Sequence, residues 1–243
     1  MTTICYRAGS VLIDTGPSRM RPEVMDVVLQ HPVDAVVLTH YHEDHSGNAA
    51  AIMAGRRLPV YGSSLTAEKL SKPYKIFPYQ HFIWGATEPL KVSLLPDTIE
   101  TRGFSFVPVH TPGHSRDHVS YHVPERGWLF SGDLYLASRI KYFRADEKIV
   151  DQIDSLKKIL AMDFDALFCG HHPHPENGKV HITAKLRYLE DFYGNVSALA
   201  DKGMDESVIM QILGLKEQTL VKMICFGNVS MKNMVRSVIR DRA

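Results

Sequence analysis

Over the first 178 positions, short apolar runs closed by polar or glycine-containing turns alternate with stripes of apolar residues at three- and four-residue spacing. The runs predict strands and the stripes predict helices. Val11-Leu12-Ile13 predicts a strand entering the turn Asp14-Thr15-Gly16-Pro17. Met20, Val24, Val27 and Val28 share one helical face, which ends at His31-Pro32 because the residue before a proline avoids the α region. Ala35-Val36-Val37-Leu38 is a second strand, the alanine-rich 49–54 stretch a helix, and 59–62 a short strand with a turn. Between Lys72 and Gly103 prolines and aromatics crowd together, and hairpins are expected there with Val92–Leu95 as one strand. Phe104–Val109 alternates with period two, and Val119–Val123 and Trp128–Phe130 pair around Pro124-Glu125-Arg126-Gly127. Asp146 is placed as the N-cap of a helix striped by Ile149, Ile153, Leu156 and Leu160, which precedes a strand at Ala166–Phe168. Past Gly178 the pattern is helical: Ile182, Leu186, Leu189, Tyr193 and Val196 form one face, Gly203 ends that helix and Asp205 starts the next. The expectation is an α/β (α+β) catalytic unit over residues 1–178 with a helical extension over 179–243.

The strand at 35–38 runs directly into His40-Tyr41-His42-Glu43-Asp44-His45. A single histidine at a strand end is ordinarily a polar turn residue. Three imidazoles and a carboxylate packed together have no stabilising logic unless a cation neutralises and orients them. Imidazole and carboxylate are the ligands that zinc and similar ions take, and a catalytic site needs them to converge with one position left open. Three other strands end in a candidate ligand: His114 after Thr111-Pro112-Gly113, Asp133 after Ser131-Gly132, and His171 after Cys169-Gly170. Strand ends of helix-flanked sheets can meet in one crevice. The segments 34–40 and 165–171 share a layout, which hints at an internal duplication.

Composition narrows the setting. With 243 residues the chain can bury a sizeable core, and a formal charge of +1 gives no general attraction to nucleic acid or anionic membrane. Three scattered cysteines without a CxxC pair suggest a reducing compartment. The N-terminal stretch from Met1 to Arg7 has no basic start and apolar h-region, and no apolar run is long enough to span a bilayer, so a cytoplasmic protein is expected.

Taken together, Asp14-Thr15-Gly16, the HxHxDH of 40–45, the TPGH of 111–114, the SGD of 131–133 and the Gly170-His171 pair resemble the metallo-β-lactamase-fold hydrolases, in that family's order, over roughly residues 4–178. The resemblance implies a four-layered αββα sandwich with metals at one edge of the two sheets. It implies that His40, His42 and His114 hold one ion, that Asp44, His45 and His171 hold the other, and that Asp133 bridges them. Asp14 would orient ligands, and the Gly-His spacing favours His171 over His172. Two cations sharing a water lower its pKa towards neutrality and give a metal-bridging hydroxide, with no Ser or Cys nucleophile needed. Asp44 is the catalytic candidate, orienting that water and accepting its proton. Two zinc ions are expected, with iron or manganese as alternatives.

The same resemblance leaves the substrate open between a small ester, thioester or lactone. Glyoxalase II-like members continue the first motif with Gly-Gly, where this chain has Ser46-Gly47-Asn48, and their glutathione-binding residues have no clear counterparts. Ser115-Arg116-Asp117-His118 after TPGH is closer to lactonase-like and small β-lactamase-like members, and it places Asp117 and His118 either near the site or in a plain turn pairing. His174, Tyr135 and Tyr142 are pocket candidates, whereas His31, His81, His110, His122 and His181 are read as surface or cap residues. Two other readings remain. A mononuclear iron oxygenase would use a subset of His40, His42, His114 and Asp133. A nucleic-acid-directed phosphodiesterase or regulator would use the helix-turn-helix-like segment 206–220, whose charges are nearly balanced. The helical extension is expected to cover the pocket, shape substrate entry or form a homodimer around a small-molecule substrate.

Overall fold

The computed structural model describes residues 3–242; Met1 and Thr2, part of the N-terminal stretch considered above, lie outside them. Ten strands and ten α-helices are resolved among the described residues. In chain order they are β1 (Tyr6–Ala8), β2 (Val11–Ile13), α1 (Arg21–Gln30), β3 (Ala35–Val37), α2 (Glu43–Ser46), α3 (Ala49–Arg56), β4 (Val60–Gly62) and α4 (Ser64–Leu70). There follow α5 (Pro78–Ile83), β5 (Ser93–Leu94), β6 (Ile99–Thr101), β7 (Phe104–His110), β8 (Val119–Val123), β9 (Trp128–Gly132), α6 (Ile149–Leu160) and β10 (Ala166–Cys169). Four helices close the chain: α7 (Gly178–Ala200), α8 (Glu206–Ile212), α9 (Thr219–Ile224) and α10 (Met231–Asp241).

The strands form two five-stranded sheets, ordered β1-β2-β3-β4-β5 and β10-β9-β8-β7-β6. From β2 to β5 the first sheet is parallel. The second is antiparallel except for the parallel β9–β10 pair. Because side chains alternate along a strand, each sheet has two apolar faces to bury. Val11, Ile13 and Val37 meet Phe106, Tyr121 and Phe130 between the sheets. Leu12, Val36 and Leu38 turn the other way, onto Val28, Ile52 and Leu70 of α1, α3 and α4. On the far side of the second sheet, Val109, Leu129 and Leu167 pack against α6, α7, α8 and α10 through Leu156, Leu189, Ile209 and Val235. The layers are therefore helix, sheet, sheet, helix, as expected.

Three local expectations change. The 72–103 stretch forms a hairpin only at its end, where β6 turns back antiparallel onto β7; α5 lies within the rest, and β5 joins β4 in parallel. Pro78 opens α5 at the first helical position, where an N–H would have no intrahelical partner, and the side chain of Gln80 accepts the Phe77 N–H at 2.8 Å. Asp146 does not cap α6, which begins at Ile149; its carboxylate pairs with Arg144 instead, and the Ile149 N–H donates to Ser237 Oγ of α10 at 3.0 Å. Of the stripe expected for α1, Val28 is buried and Val27 exposed, while Met20 lies exposed in the turn before the helix, so the helix meets the sheet along a narrower stripe than its sequence suggests.

Candidate metal centre

The parallel β2–β3 register sets Ile13 opposite Val37, so the residues just beyond those strands meet. Asp14 leaves β2 in the left-handed region, at φ 60°, and its carboxylate accepts hydrogen bonds from the Thr39 N–H (2.7 Å) and Thr39 Oγ1 (2.8 Å). It also lies 2.8 Å from His45 Nδ1. Thr39 Oγ1 in turn approaches His40 Nδ1 at 3.0 Å. With their Nδ1 atoms engaged behind them, both rings present Nε2 to the crevice. The 46–48 segment has a structural task of its own: Asn48 Nδ2 donates to the carbonyls of Thr15 and Pro17, which ties the Asp14 turn to α3.

His40 Nε2 is 2.9 Å from His42 Nδ1, which is 3.1 Å from His114 Nε2. Ligands on a tetrahedral ion with ~2.0–2.1 Å bonds stand about 3.3 Å apart, so three imidazole nitrogens sit at close to coordination spacing. Asp133 lies between this triad and a second group. Its Oδ2 is 3.4 Å from His114 Nε2, while its Oδ1 is 3.3 Å from His45 Nε2 and 3.4 Å from His171 Nε2. Asp44 Oδ2 approaches His45 Nε2 at 3.7 Å. Three groups of donors thus converge: His40, His42 and His114; His40, His45 and Asp133; and Asp44, His45 and His171.

A cation fits these donors. Among the donor atoms that converge, His45 Nε2 and Asp133 Oδ1 are buried without a partner of hydrogen-bond geometry, a costly arrangement in a folded interior. Burial opposes charge on His45, yet Asp133, Asp44 and Asp14 hold its pKa well above the ordinary imidazole value. Burial likewise opposes charge on Asp133, yet His45, His171 and His114 hold it well below the carboxylate range. The carboxylates demand a positive charge between them, and a metal ion supplies it better than a proton. Burial pushes His40 and His42 down, joined by neighbouring rings at His40 and first by Arg144 at His42, leaving both neutral and ready to donate lone pairs.

The supporting contacts come from several elements. His118 is buried, with Nδ1 2.9 Å from Thr111 Oγ1, and its Nε2 accepts the Asp133 N–H at 3.1 Å. Burial, then His114, lowers its pKa to about 3, so it is a neutral brace. Asp117 accepts the Tyr41 N–H (2.9 Å) and Thr66 Oγ1 (2.7 Å), fixing the first residue after His40. Both residues after TPGH therefore serve the site as supports. Gly132 has φ 48°, and a Cβ there would meet His118 Nε2 at 2.6 Å. At Gly170 a Cβ would lie 2.8 Å from Asp133 Oδ1.

Two functional neighbours escaped the sequence reading. Glu147 is buried with Oε1 3.5 Å from His114 Nδ1, and it accepts from the Arg144 N–H (3.1 Å) and Gln152 Nε2 (2.6 Å). Nothing local signals its reach across to His114. Lys185 is buried on α7 and donates to the Leu134 carbonyl at 2.5 Å, directly behind Asp133. Its signal was present, since a lysine three residues after Ile182 falls on the apolar stripe.

Other histidines lie elsewhere. His172 is exposed, its N–H donating to Cys169 Sγ at 3.1 Å. His174 stacks on His181 with centroids 3.4 Å apart, and Tyr135 packs beside them, so neither His174 nor Tyr135 joins the converging donors. His122 is buried rather than on the surface, with Nε2 2.7 Å from the Asp163 carbonyl. Tyr142 is exposed.

Comparison with known proteins bears on this centre. The family model described as Metallo-beta-lactamase superfamily matches residues 2–171. The hydroxyacylglutathione hydrolase of Serratia proteamaculans (strain 568) is 28% identical over 198 residues, which cover 79% of this chain and 70% of that protein. A beta-lactamase-like protein 2 homolog of Drosophila melanogaster is 32% identical over 190 residues, covering 70% of this chain but 58% of its own length. Among solved structures, TTHA1623 in a di-iron-bound form shares 27% identity at a TM-score of 0.58, covering 73% of this chain and 94% of that one.

Proposed function

The chain belongs to the metallo-beta-lactamase superfamily, and from that premise we propose that it hydrolyses a small thioester, within the wider class of esters and lactones, at a two-metal centre. One observation carries the reading: the two carboxylate oxygens of Asp133 face different donor groups, Oδ2 towards His114 and Oδ1 towards His45 and His171. His40, His42 and His114 would hold one ion, Asp44, His45 and His171 the other, with Asp133 shared. A single-ion oxygenase would leave Asp44, His45 and His171 without a task. The choice of thioester follows the hydroxyacylglutathione hydrolase relative. Zinc suits the imidazole-rich set, and the di-iron relative makes iron the competing ion.

Bound divalent ions would act as Lewis acids, bringing a water's pKa towards neutrality and polarising the scissile carbonyl. The chain's own residues do the rest. Asp14, Thr39 and His118 hold the ligands rigid, so little reorganisation accompanies reaction. Asp44 approaches His45 with Oδ2, and its other oxygen serves to orient the attacking water and take its proton. The water oxygen bonds to the acyl carbon as the C–S bond breaks, and the proton passes to the departing thiolate, leaving a carboxylic acid and a thiol.

Metal analysis of the purified protein, with a panel of thioesters, lactones, β-lactams and phosphodiesters, tests the reading. Two ions per chain and thioester turnover are expected, with Asp44→Asn lowering kcat by about 10²–10⁴-fold while metal stays bound. Turnover of nucleic acid alone overturns it.

A further inference from the structure

Beside the centre lies a cavity of about 320 Å³ to which the hydrolytic chemistry assigns no role. One wall carries Tyr41 and Glu43, which flank His42 in the chain, and the Tyr41 ring centroid is 4.8 Å from that of His42. Another carries Arg144, whose N–H donates to Glu147, the carboxylate beside His114. The three histidines do not line the cavity themselves; it adjoins them through the neighbours of His42 in the chain and through the Arg144–Glu147 contact behind His114. Lys69, Tyr74 and Lys75 also line it.

Its charges do not balance. Lys69, Lys75 and Arg144 face only two carboxylates, Glu43 and Asp146. Glu43 is buried and already satisfied at the back, accepting from Gln80 Nε2 (3.0 Å) and Tyr74 OH (3.3 Å). Asp146 engages Arg144 through Nε alone, at 3.1 Å, and among the described residues no hydrogen bond uses the terminal nitrogens of that guanidinium. The Arg144 side chain is 19% exposed, and its backbone is pinned by Glu147 and by a bridge to Val229. The Lys69 ammonium stands 5.0 and 4.8 Å from the ring centroids of Tyr41 and Tyr74. A fixed, largely desolvated guanidinium whose terminal nitrogens have no internal acceptor matches the paired oxygens of a carboxylate or phosphate.

The geometry points to an anion-recognising subsite: the substrate carries, beyond its scissile carbonyl, a carboxylate or phosphate gripped by Arg144 and drawn in by Lys69 and Lys75, while Tyr41 and Tyr74 pack against the arm. This rests on the hydrolase reading above and names its substrate class.

Thioesters of one thiol, N-acetylcysteamine, test it when the acyl arm ends in a carboxylate (glutaryl), in a phosphate at equal length, or in a neutral amide. Wild type is expected to prefer one of the charged arms, and the arm preferred identifies the anion. In Arg144→Gln the charged-to-neutral ratio of kcat/KM falls at least tenfold, with Arg144→Lys intermediate and Lys75→Gln smaller, all with unchanged circular dichroism. A ratio unchanged in both Arg144→Gln and Lys75→Gln overturns the subsite. If none of these thioesters is turned over, the thioester choice fails, and calorimetric titration of the metal-loaded protein with glutarate and with a simple phosphate monoester decides the subsite separately. Binding at least tenfold weaker in Arg144→Gln supports it, and equal affinity overturns it.

Discussion

The segment after β3 and the three loops of the second sheet bring candidate metal ligands to the same crevice by different means. The first packs His40, His42, Asp44 and His45 into six consecutive residues, and the turn of α2 does much of the aiming. Asp14 braces this segment at two points, Thr39 and His45. In the second sheet His114, Asp133 and His171 arrive singly from three loops, and each depends on its own neighbours. His118 holds the Asp133 backbone, Glu147 lies behind His114, and Gly170 leaves the space in which Asp133 meets His45. A dense local motif shares its supports, whereas dispersed ligands need one apiece.

The strongest test of this contrast removes the residue that joins the two regions. Asp133→Ala takes one oxygen from each donor group, so bound metal is expected to fall at both positions and thioester turnover by more than about 10³-fold. His42→Ala touches one triad only and should retain more metal. Elemental analysis of both proteins checks this, and full metal retention in Asp133→Ala would remove its bridging role.

Smaller effects separate the supports. Asp14→Asn and His118→Gln should each weaken metal binding by about 10–100-fold, measured by chelator competition. Asp14→Asn should be the larger, since Asp14 braces two points of the dense segment and His118 braces one dispersed ligand. The reverse order would mean that the second sheet, not the HxHxDH segment, sets the affinity.

An effect on stability rather than on metal concerns Lys185, which reaches the Asp133 loop from α7. Burial lowers its pKa from the ordinary 10.5 to about 8, against the pull of Glu147, Asp133 and Cys169. Below pH 8 the folded protein bears the whole cost of the buried ammonium. Between 8 and 10.5 the folded group loses its proton before the unfolded one does, so the unfolded state binds more protons and this part of stability rises with pH. Lys185→Met should therefore stabilise the metal-free protein by roughly 1–4 kcal/mol at pH 7, a gain that shrinks as pH approaches 10.5. Urea unfolding at pH 7 and pH 10 measures it, and a gain independent of pH would show that Lys185 carries no such cost.

Most elements were legible because their signals are local. The apolar runs at 11–13, 35–38 and 166–168 became β2, β3 and β10, and Asp205 caps α8 through the N–H groups of Ser207 and Val208. The motifs, read in order, also nominated the seven residues that the fold brings into one crevice. Errors arose where a residue's task depends on a distant partner. The proline- and aromatic-rich 72–103 stretch was expected to form hairpins, yet Pro78 starts a helix within it. Asp146 read as a cap and pairs with Arg144, while Ser237, 88 residues from Ile149, takes the N–H that a cap would have taken.

By itself, the sequence determined the strand and helix periodicities and the chemistry of the candidate ligands. These depend on φ/ψ preference, side-chain pKa and hydrophobic spacing, which act over a few residues. Only the tertiary structure decided that Asp133 turns one oxygen to each donor group, that Glu147 stands behind His114, and that Arg144 and Lys69 share a cavity with Tyr41. Those relations join residues far apart in the chain, and they exist only once two sheets and their helices have packed.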